Sequence, residues 1–268
     1  VKFVLLGIIQ GLTEFLPVSS SGHLVIAQKL LNIPNSIPFD VTVHLATLLS
    51  VIVYFWKDII DILRWFTVGL YRIGARQAGF SEVYNRLSGF RMACLLLLGT
   101  AVTALIGFAF QDYFEALFSS PRAVGGFLIL TGVIIFTAET FPRGKKEAGQ
   151  VTWWDAVLIG LAQSAAIAPG LSRSGTTVSA GLMRGLNREL AAKYSFLLSI
   201  PAILGAGLLE MRKIIAVPDI QPLLLGAAAA FISGYLAIGL FMGLITRFRL
   251  RGFAYYCAAI GLLIIILL

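Results

Sequence analysis

The sequence predicts an all-α polytopic membrane protein: an inverted-topology repeat with six spanning helices and two re-entrant helical hairpins. Three observations carry that prediction. Hydrophobic residues make up 58% of the 268 and charged residues only 13%, with a mean hydropathy of +0.90, more apolar surface than a soluble domain can hide. Apolar runs recur at spanning length. Two short polar stretches, Gln10–His23 and Pro169–Thr177, interrupt apolar sequence, where carboxylate, imidazole, guanidinium and hydroxyls are expensive and mark a functional site.

The elements follow in order. Region 1–31 is helical in pattern but cut by Pro17 and the serines after it. Val1–Ile9 is apolar, yet no A-x-A-like cleavage site follows, so it is not read as a removable signal; the chain opens without Met, and a few native residues are expected before it. Runs at 39–56, 92–110 and 123–141 are long enough to span or nearly so. Region 153–186 is cut by Pro169-Gly170 and Ser172-Arg173-Ser174. Runs at 190–209, 222–245 and 253–268 complete the set. Each half of the two interrupted regions is too short to cross a core of about 30 Å. Both therefore read as helix in, polar turn at depth, helix out, a backbone tolerated only inside protein or along a wet cavity.

Loop charge sets orientation. Segment 57–91 has six basic against three acidic residues, a net +3; segment 142–150 has +2 and segment 246–252 has +3. These three are expected in the cytoplasm. Segments 111–122, at −1 with Asp112 and Glu115, and 210–221, at zero, are expected outside. The spans then alternate, and the two hairpins enter from opposite faces. A shift of 153 positions pairs 7 of 21 residues across the two hairpins, Gln10 with Gln163 and Ser19 with Ser172 among them. The single membrane domain, 1–268, thus divides into repeat 1, about 1–110, and repeat 2, about 153–245, with 123–141 and 253–268 completing the bundle. Sites in such folds form near the midplane where broken helices meet.

The formal charge of +8 does not point to nucleic acid, because the basic residues lie in short loops rather than on a face with stacking aromatics. Membrane lipids are the expected surroundings. Cys94 and Cys257 sit alone in apolar runs and read as inert buried thiols, and no zinc-ligand spacing appears.

The turns carry the chemistry. Ser19, Ser20 and Ser21 precede one apolar run and Ser172 and Ser174 another, so each set caps a new helix whose free N–H groups face the turn. Two helix starts aimed at one place attract an anion, and Arg173 adds a planar fork suited to phosphate oxygens; pairing with Glu14 is its alternative. Glu14 would repel a phosphate directly, so a bridging Mg²⁺ or Ca²⁺ held by Glu14 and by Gln10, one turn earlier, is attractive. His23 suits a nucleophile or general acid–base role, and Ser20 is a second candidate nucleophile. Ser19, Ser21, Ser172, Ser174, Thr177 and Gln10 are the candidate substrate-binding residues. Asp40 reads as a helix cap and His44 as packing or hydrogen-bonding within the bundle. The glycines at 125–126 and 205–207 read as close helix packing.

At these residues the chain resembles the bacterial undecaprenyl-diphosphate phosphatases of the bacitracin-resistance type. That family carries (E/Q)-G-L-T-E-F-L-P-[VI]-S-S-[ST]-G-H, which stands here as Gln10–His23, and P-G-x-S-R-S-G-x-T, which stands here as Pro169–Thr177. The resemblance runs nearly end to end. It implies hydrolysis of the terminal phosphate of undecaprenyl diphosphate, recycling the lipid carrier for peptidoglycan synthesis and conferring bacitracin resistance, with a divalent cation. It implies Gln10, Glu14, Ser20, His23, Ser172, Arg173 and Thr177 as site residues, in the cytoplasmic (inner) membrane with action at the outer face. Many relatives carry Glu where this chain has Gln10, which leaves Glu14 as the principal acid. A homodimer is compatible with the sequence. The competing reading is a lipid-phosphate flippase using the same midplane site. An acid-phosphatase-like enzyme with an S-R-x5-H block fits poorly, because Ser179 stands where its histidine belongs.

Overall fold

A computed structural model describes residues 1–33, 36–117, 120–215 and 220–267. The side chains at 115 and 211–215 lie outside the described set, as does Asp219, so the charges counted there rest on sequence alone. Among the described residues there are thirteen α-helices and no strand. They are α1 Lys2–Phe15, α2 Ser20–Leu30, α3 Ile37–Tyr54, α4 Trp56–Gly74, α5 Phe80–Arg86, α6 Ser88–Ala109, α7 Gln111–Leu117, α8 Pro121–Ala138, α9 Trp153–Ala165, α10 Arg173–Met183, α11 Arg188–Ile215, α12 Gln221–Arg247 and α13 Arg251–Leu267.

Local chemistry sets the boundaries. Leu16 is extended, at φ −72 and ψ 143, as a residue before proline must be, so α1 stops at Phe15. Ser36, not Asp40, caps α3, accepting from the Phe39 N–H, with Pro38 in the first turn. Asp40 instead accepts from the buried Gln28 amide of α2 at 2.7 Å. A capping box of Thr152 and Asp155 starts α9. Five helices, α3, α6, α8, α11 and α12, are long and apolar enough to cross a membrane. The sixth expected span is α13, an apolar helix of 17 residues, about 26 Å long at the usual rise.

Segment 57–91, expected as a charged loop, is mostly helix: α4 and α5. Its charges hid an amphipathic pattern. Ile59, Ile62, Phe66 and Ile73 pack inward and Gly69 meets the Phe90 ring of α6, while Leu63, Leu70 and Tyr71 stay exposed. Charged residues lower the mean hydropathy without changing the 3.6-residue period. Within 111–122, similarly, α7 replaces loop.

Helix directions follow from the contacts. On α12, Gly226 meets Gly7 of α1 and Phe39 of α3, and further along Gly234 meets Phe15 and Ser50, so α1, α3 and α12 run parallel. Gly99 of α6 faces Gly160 of α9 and Leu198 of α11, and Leu95 meets Tyr194; α6, α9 and α11 also run parallel. Phe196 of α11 meets Phe241 of α12 edge-on, and Arg188 reaches the Ile245 carbonyl, so the two sets are antiparallel. The first hairpin, α1–α2, and the second, α9–α10, therefore enter from opposite ends of the bundle. Lys2 closes the base of the first on the Leu31 carbonyl. The fully buried Asp155 closes the second, taking Lys146 and Arg184 at 3.0 and 2.7 Å.

Glycine lets these backbones approach. A Cβ at Gly160 would stand 2.8 Å from the Gly99 carbonyl oxygen. Gly125 and Gly207 are packed in the same way, but Gly126 and Gly205 face open space, so only one of each expected pair serves close packing.

Candidate active site at the hairpin tips

The two tips meet. Ser19 caps α2 by accepting from the Gly22 N–H, and Ser172 caps α10 by accepting from the Gly175 N–H at 3.1 Å. Ser19 sits at φ 68, a left-handed conformation that costs a non-glycine residue on the order of 1 kcal/mol and turns the chain sharply after Pro17. Gly170 has φ +92, and a Cβ there would strike the Val124 backbone, so the second turn needs glycine. Three contacts tie the tips together. The Gly170 N–H donates to Ser21 Oγ at 3.3 Å, Ser174 Oγ donates to the Leu16 carbonyl at 3.1 Å, and Arg173 Nη2 donates to Glu14 Oε1 at 2.6 Å.

Glu14 is the centre of the network. Its Oε2 accepts from Ser20 Oγ at 2.6 Å and from Gln10 Nε2 at 3.0 Å. The ring Nε2 of His44, from α3, stands 3.7 Å away. Glu14 is 7% exposed and Gln10 fully buried. A hydroxyl donating to a carboxylate at such a short distance is the arrangement of a nucleophile beside its base.

His23 points elsewhere. Its Nδ1 faces the Ser19 carbonyl at 2.8 Å and its Nε2 faces the Tyr256 hydroxyl at 2.8 Å, with the two rings stacked. A carbonyl can only accept, so Nδ1 carries a proton; in the neutral ring Tyr256 donates to Nε2. Neither ring nitrogen bonds to Glu14 or Arg173. Thr177 is buried, its hydroxyl shared between the Arg173 carbonyl and Ser195 Oγ at 2.7 and 2.6 Å. The hydroxyls of Ser172 and Ser174 lie 3.3 Å apart, both already engaged in the cap and the tie between tips.

Sequence reading missed three supports. His44 is expected to pack or hydrogen-bond within the bundle, and it does bond to the Asp40 carbonyl; the missed feature is that its other nitrogen stands 3.7 Å from Glu14. A histidine inside a span is itself an intramembrane ionisable residue, so the signal was present. Thr131 of α8 sits between the Gly170 carbonyl and the Ser172 N–H, which donates to it at 3.0 Å. Tyr256 of α13 holds His23. No local pattern marks these two, because each acts on a residue far away in sequence.

Two buried polar atoms at the tips lack partners: Gln10 Oε1 and Arg173 Nη1. An oxygen acceptor and a guanidinium N–H thus remain beside the Glu14 carboxylate. Among the described residues no cluster of three or more His, Cys, Asp or Glu side chains could hold a metal. The donors at hand, one carboxylate and one amide oxygen, are hard oxygens of the kind that share Mg²⁺ or Ca²⁺ with substrate phosphate, so the residues fit such an ion.

A family profile described as "Bacitracin resistance protein BacA" matches residues 3–263. Among curated relatives, the undecaprenyl-diphosphatase of Methanosphaera stadtmanae is 40% identical over 265 residues, covering 98% of this chain and 96% of the relative. That of Carboxydothermus hydrogenoformans is 41% identical over 271 residues, covering 98% and 95%. That of Halothermothrix orenii is 40% identical over 277 residues, covering 99% and 97%.

Proposed function

We infer that this chain, which belongs to the bacitracin resistance protein BacA family, is an undecaprenyl-diphosphatase, a multi-pass membrane hydrolase that releases the terminal phosphate of undecaprenyl diphosphate. Relatives of that name cover almost all of both chains. The single observation that carries the reading is the Glu14 carboxylate, held between Ser20 of its own hairpin and Arg173 of the other. The product is the monophosphate lipid carrier used in peptidoglycan synthesis, and bacitracin resistance follows from its supply. The comparisons carry hydrolysis; nothing in them carries lipid translocation.

The mechanism we favour is phosphoryl transfer to Ser20. Glu14 takes the hydroxyl proton as Ser20 Oγ bonds to the terminal phosphorus. The bond from that phosphorus to the bridging oxygen breaks, and the lipid monophosphate leaves with the electron pair. Water then attacks the phosphoserine phosphorus, the P–Oγ bond breaks with its electron pair on Oγ, Glu14 returns the proton to Ser20 Oγ, and phosphate leaves carrying the water's oxygen and protons. Arg173 contributes the free Nη1–H to the phosphoryl oxygens while its Nη2 orients Glu14, the electrostatic positioning on which such transfers depend. The helix starts after Ser19 and Ser172 face the same charge. Ser21 and Ser174 hold the tips together, and Thr177 fixes the first turn of α10 beneath Arg173. His23, held by the Ser19 carbonyl and Tyr256, braces the start of α2 beside the turn of the first hairpin. A divalent cation, Mg²⁺ or Ca²⁺, would be held by Glu14 and Gln10 and would supply neutralisation of phosphate charge.

Several further features belong to this reading. The opposed hairpins, with α1 packed on α12 and α9 on α6, support two inverted repeats, about 1–110 and 153–245. The basic ends support a cytoplasmic face there, so the first hairpin opens outward from the inner membrane. A homodimer is compatible with the exposed apolar helices. The test is phosphate release from a polyprenyl diphosphate by purified protein. Glu14→Ala and Arg173→Ala are each expected to lose about 10³-fold or more; wild-type rates in both variants would refute the site.

A further inference from the structure

On the face where the basic loops gather, a cavity of about 490 Å³ lies between the end of α8, the start of α11 and the α12–α13 turn. Four arginines line it, Arg143, Arg188, Arg249 and Arg251, against one acid, Glu139. Arg188 consumes that acid, donating to both carboxylate oxygens at 2.6 and 3.2 Å, and gives two further donors to the Ile245 and Phe248 carbonyls. Three guanidiniums remain. Among the described residues Arg143 has no hydrogen bond or ion pair, and Arg249 meets Glu139 only through space. Arg251 lies over the Phe136 ring at 5.3 Å, its Nε buried without a partner.

Several cations of that face are engaged. Lys146 and Arg184 are bound by Asp155, Lys193 pairs with Asp58, and Arg91 donates to the Val151 carbonyl at 2.6 Å. At the cavity, by contrast, three guanidiniums line one space with no hydrogen bond or ion pair among the described residues. Like charges gathered in a partly enclosed cavity repel unless an anion joins them, and forked donors suit phosphate oxygens.

We propose that this cavity is a second phosphate site, separate from the hydrolytic one, and that it takes the headgroup of an anionic phospholipid. Inorganic phosphate offers the same oxygens. The surroundings favour the lipid: the cavity sits where three apolar helices end, and Phe141 at its rim and Phe248 beside it are exposed, at 47% and 61%, as interfacial aromatics are. Phe136, exposed on α8 beneath Arg251, continues an apolar path on which a chain can lie. Basic pockets between helix ends on such a face are where acidic headgroups are held.

The test uses the full chain in detergent, with Arg173→Ala introduced so that the hydrolytic site holds phosphate poorly. Its melting temperature is followed against phosphatidylglycerol, phosphatidylcholine and inorganic phosphate, with and without Arg143→Gln, Arg249→Gln and Arg251→Gln together. Phosphatidylglycerol alone is expected to raise the melting temperature, with an apparent affinity at least about tenfold weaker in the triple variant. Arg143→Gln alone, at an exposed position, should weaken it about two- to threefold, which guards against misfolding of the triple variant. A response to inorganic phosphate equal to that of the lipid, and dependent on the same arginines, keeps the site but overturns the lipid assignment. No response to either anion, or an unchanged response in the triple variant, overturns the site. Unimpaired hydrolysis by the triple variant with Arg173 intact would show that the two sites are separate; abolished hydrolysis in a folded triple variant would overturn that separation.

Discussion

Four polar groups from four helices approach Glu14: Gln10 of α1, Ser20 at the start of α2, His44 of α3 and Arg173 at the start of α10. Such a carboxylate is both held and usable, because Gln10, Ser20 and Arg173 donate to it and its single negative charge has one guanidinium to answer it. The hydroxyl at 2.6 Å makes Ser20 the better nucleophile, whereas both ring nitrogens of His23 are committed to Ser19 and Tyr256. Quenching the reaction in acid with a substrate labelled in its terminal phosphate should leave label on the protein, since phosphoserine survives acid and phosphohistidine does not. Ser20→Ala should abolish that label and lower turnover about 10³-fold or more. Label that persists in Ser20→Ala but disappears in His23→Ala would transfer the role to His23.

At the scale of the element, two kinds of contact carry predictions. The α1–α12 seam is built on missing side chains: a Cβ at Gly11 would press on Ser233 Oγ, the Ala230 carbonyl and the Gly234 N–H. Gly11→Leu should destabilise the protein by about 1–3 kcal/mol through overpacking. Gly243→Leu on the same α12, where nothing lies within 4 Å, should stay within about 0.5 kcal/mol. Thermal unfolding of the two in one detergent makes the comparison, and equal losses would contradict the seam. The second contact is Glu139 at the end of α8. Burial alone would raise its carboxyl, but the Arg188 fork and the Leu250 N–H outweigh that and hold it below the ordinary range. Its folded value being depressed, its stabilisation is complete above the usual glutamate value of about 4.3 and fades as pH falls through the lower folded value. Melting temperature should therefore drop on acidification below that point. Glu139→Gln should be less stable at neutral pH by about 3 kcal/mol and show a shallower acid decline; an unchanged pH profile would remove Glu139 from the account.

At the scale of the whole molecule, the packing directions give the two hairpins opposite senses, and the loop charges predict which end faces the cytoplasm. With Cys94→Ser as background, a membrane-impermeant thiol reagent should label Asp112→Cys in intact cells. Lys145→Cys should react only after the membrane is opened. The reverse pattern would invert the orientation and place the opening of the first hairpin in the cytoplasm.

Much of this was legible from one chain of letters. Pro17 and Pro169-Gly170 had to end helices, the serines after them had to cap new ones, and apolar length had to produce spans, because those rules act within a few residues. Helix α4 escaped for a related reason: hydropathy averaged over its charges concealed a periodic face that only docking on α6 made visible. Composition and spacing by themselves determined a helical membrane protein with two interrupted hairpins and a phosphate-seeking set of residues. That Arg173 would clasp a carboxylate 159 positions away, that His44 would stand beside that carboxylate while Thr131 and Tyr256 hold the Gly170 turn and His23, and that three arginines would share one cavity, only the tertiary structure decided. Such meetings depend on how separate helices register against one another, which is governed by side-chain shape summed over the bundle rather than by any local stretch.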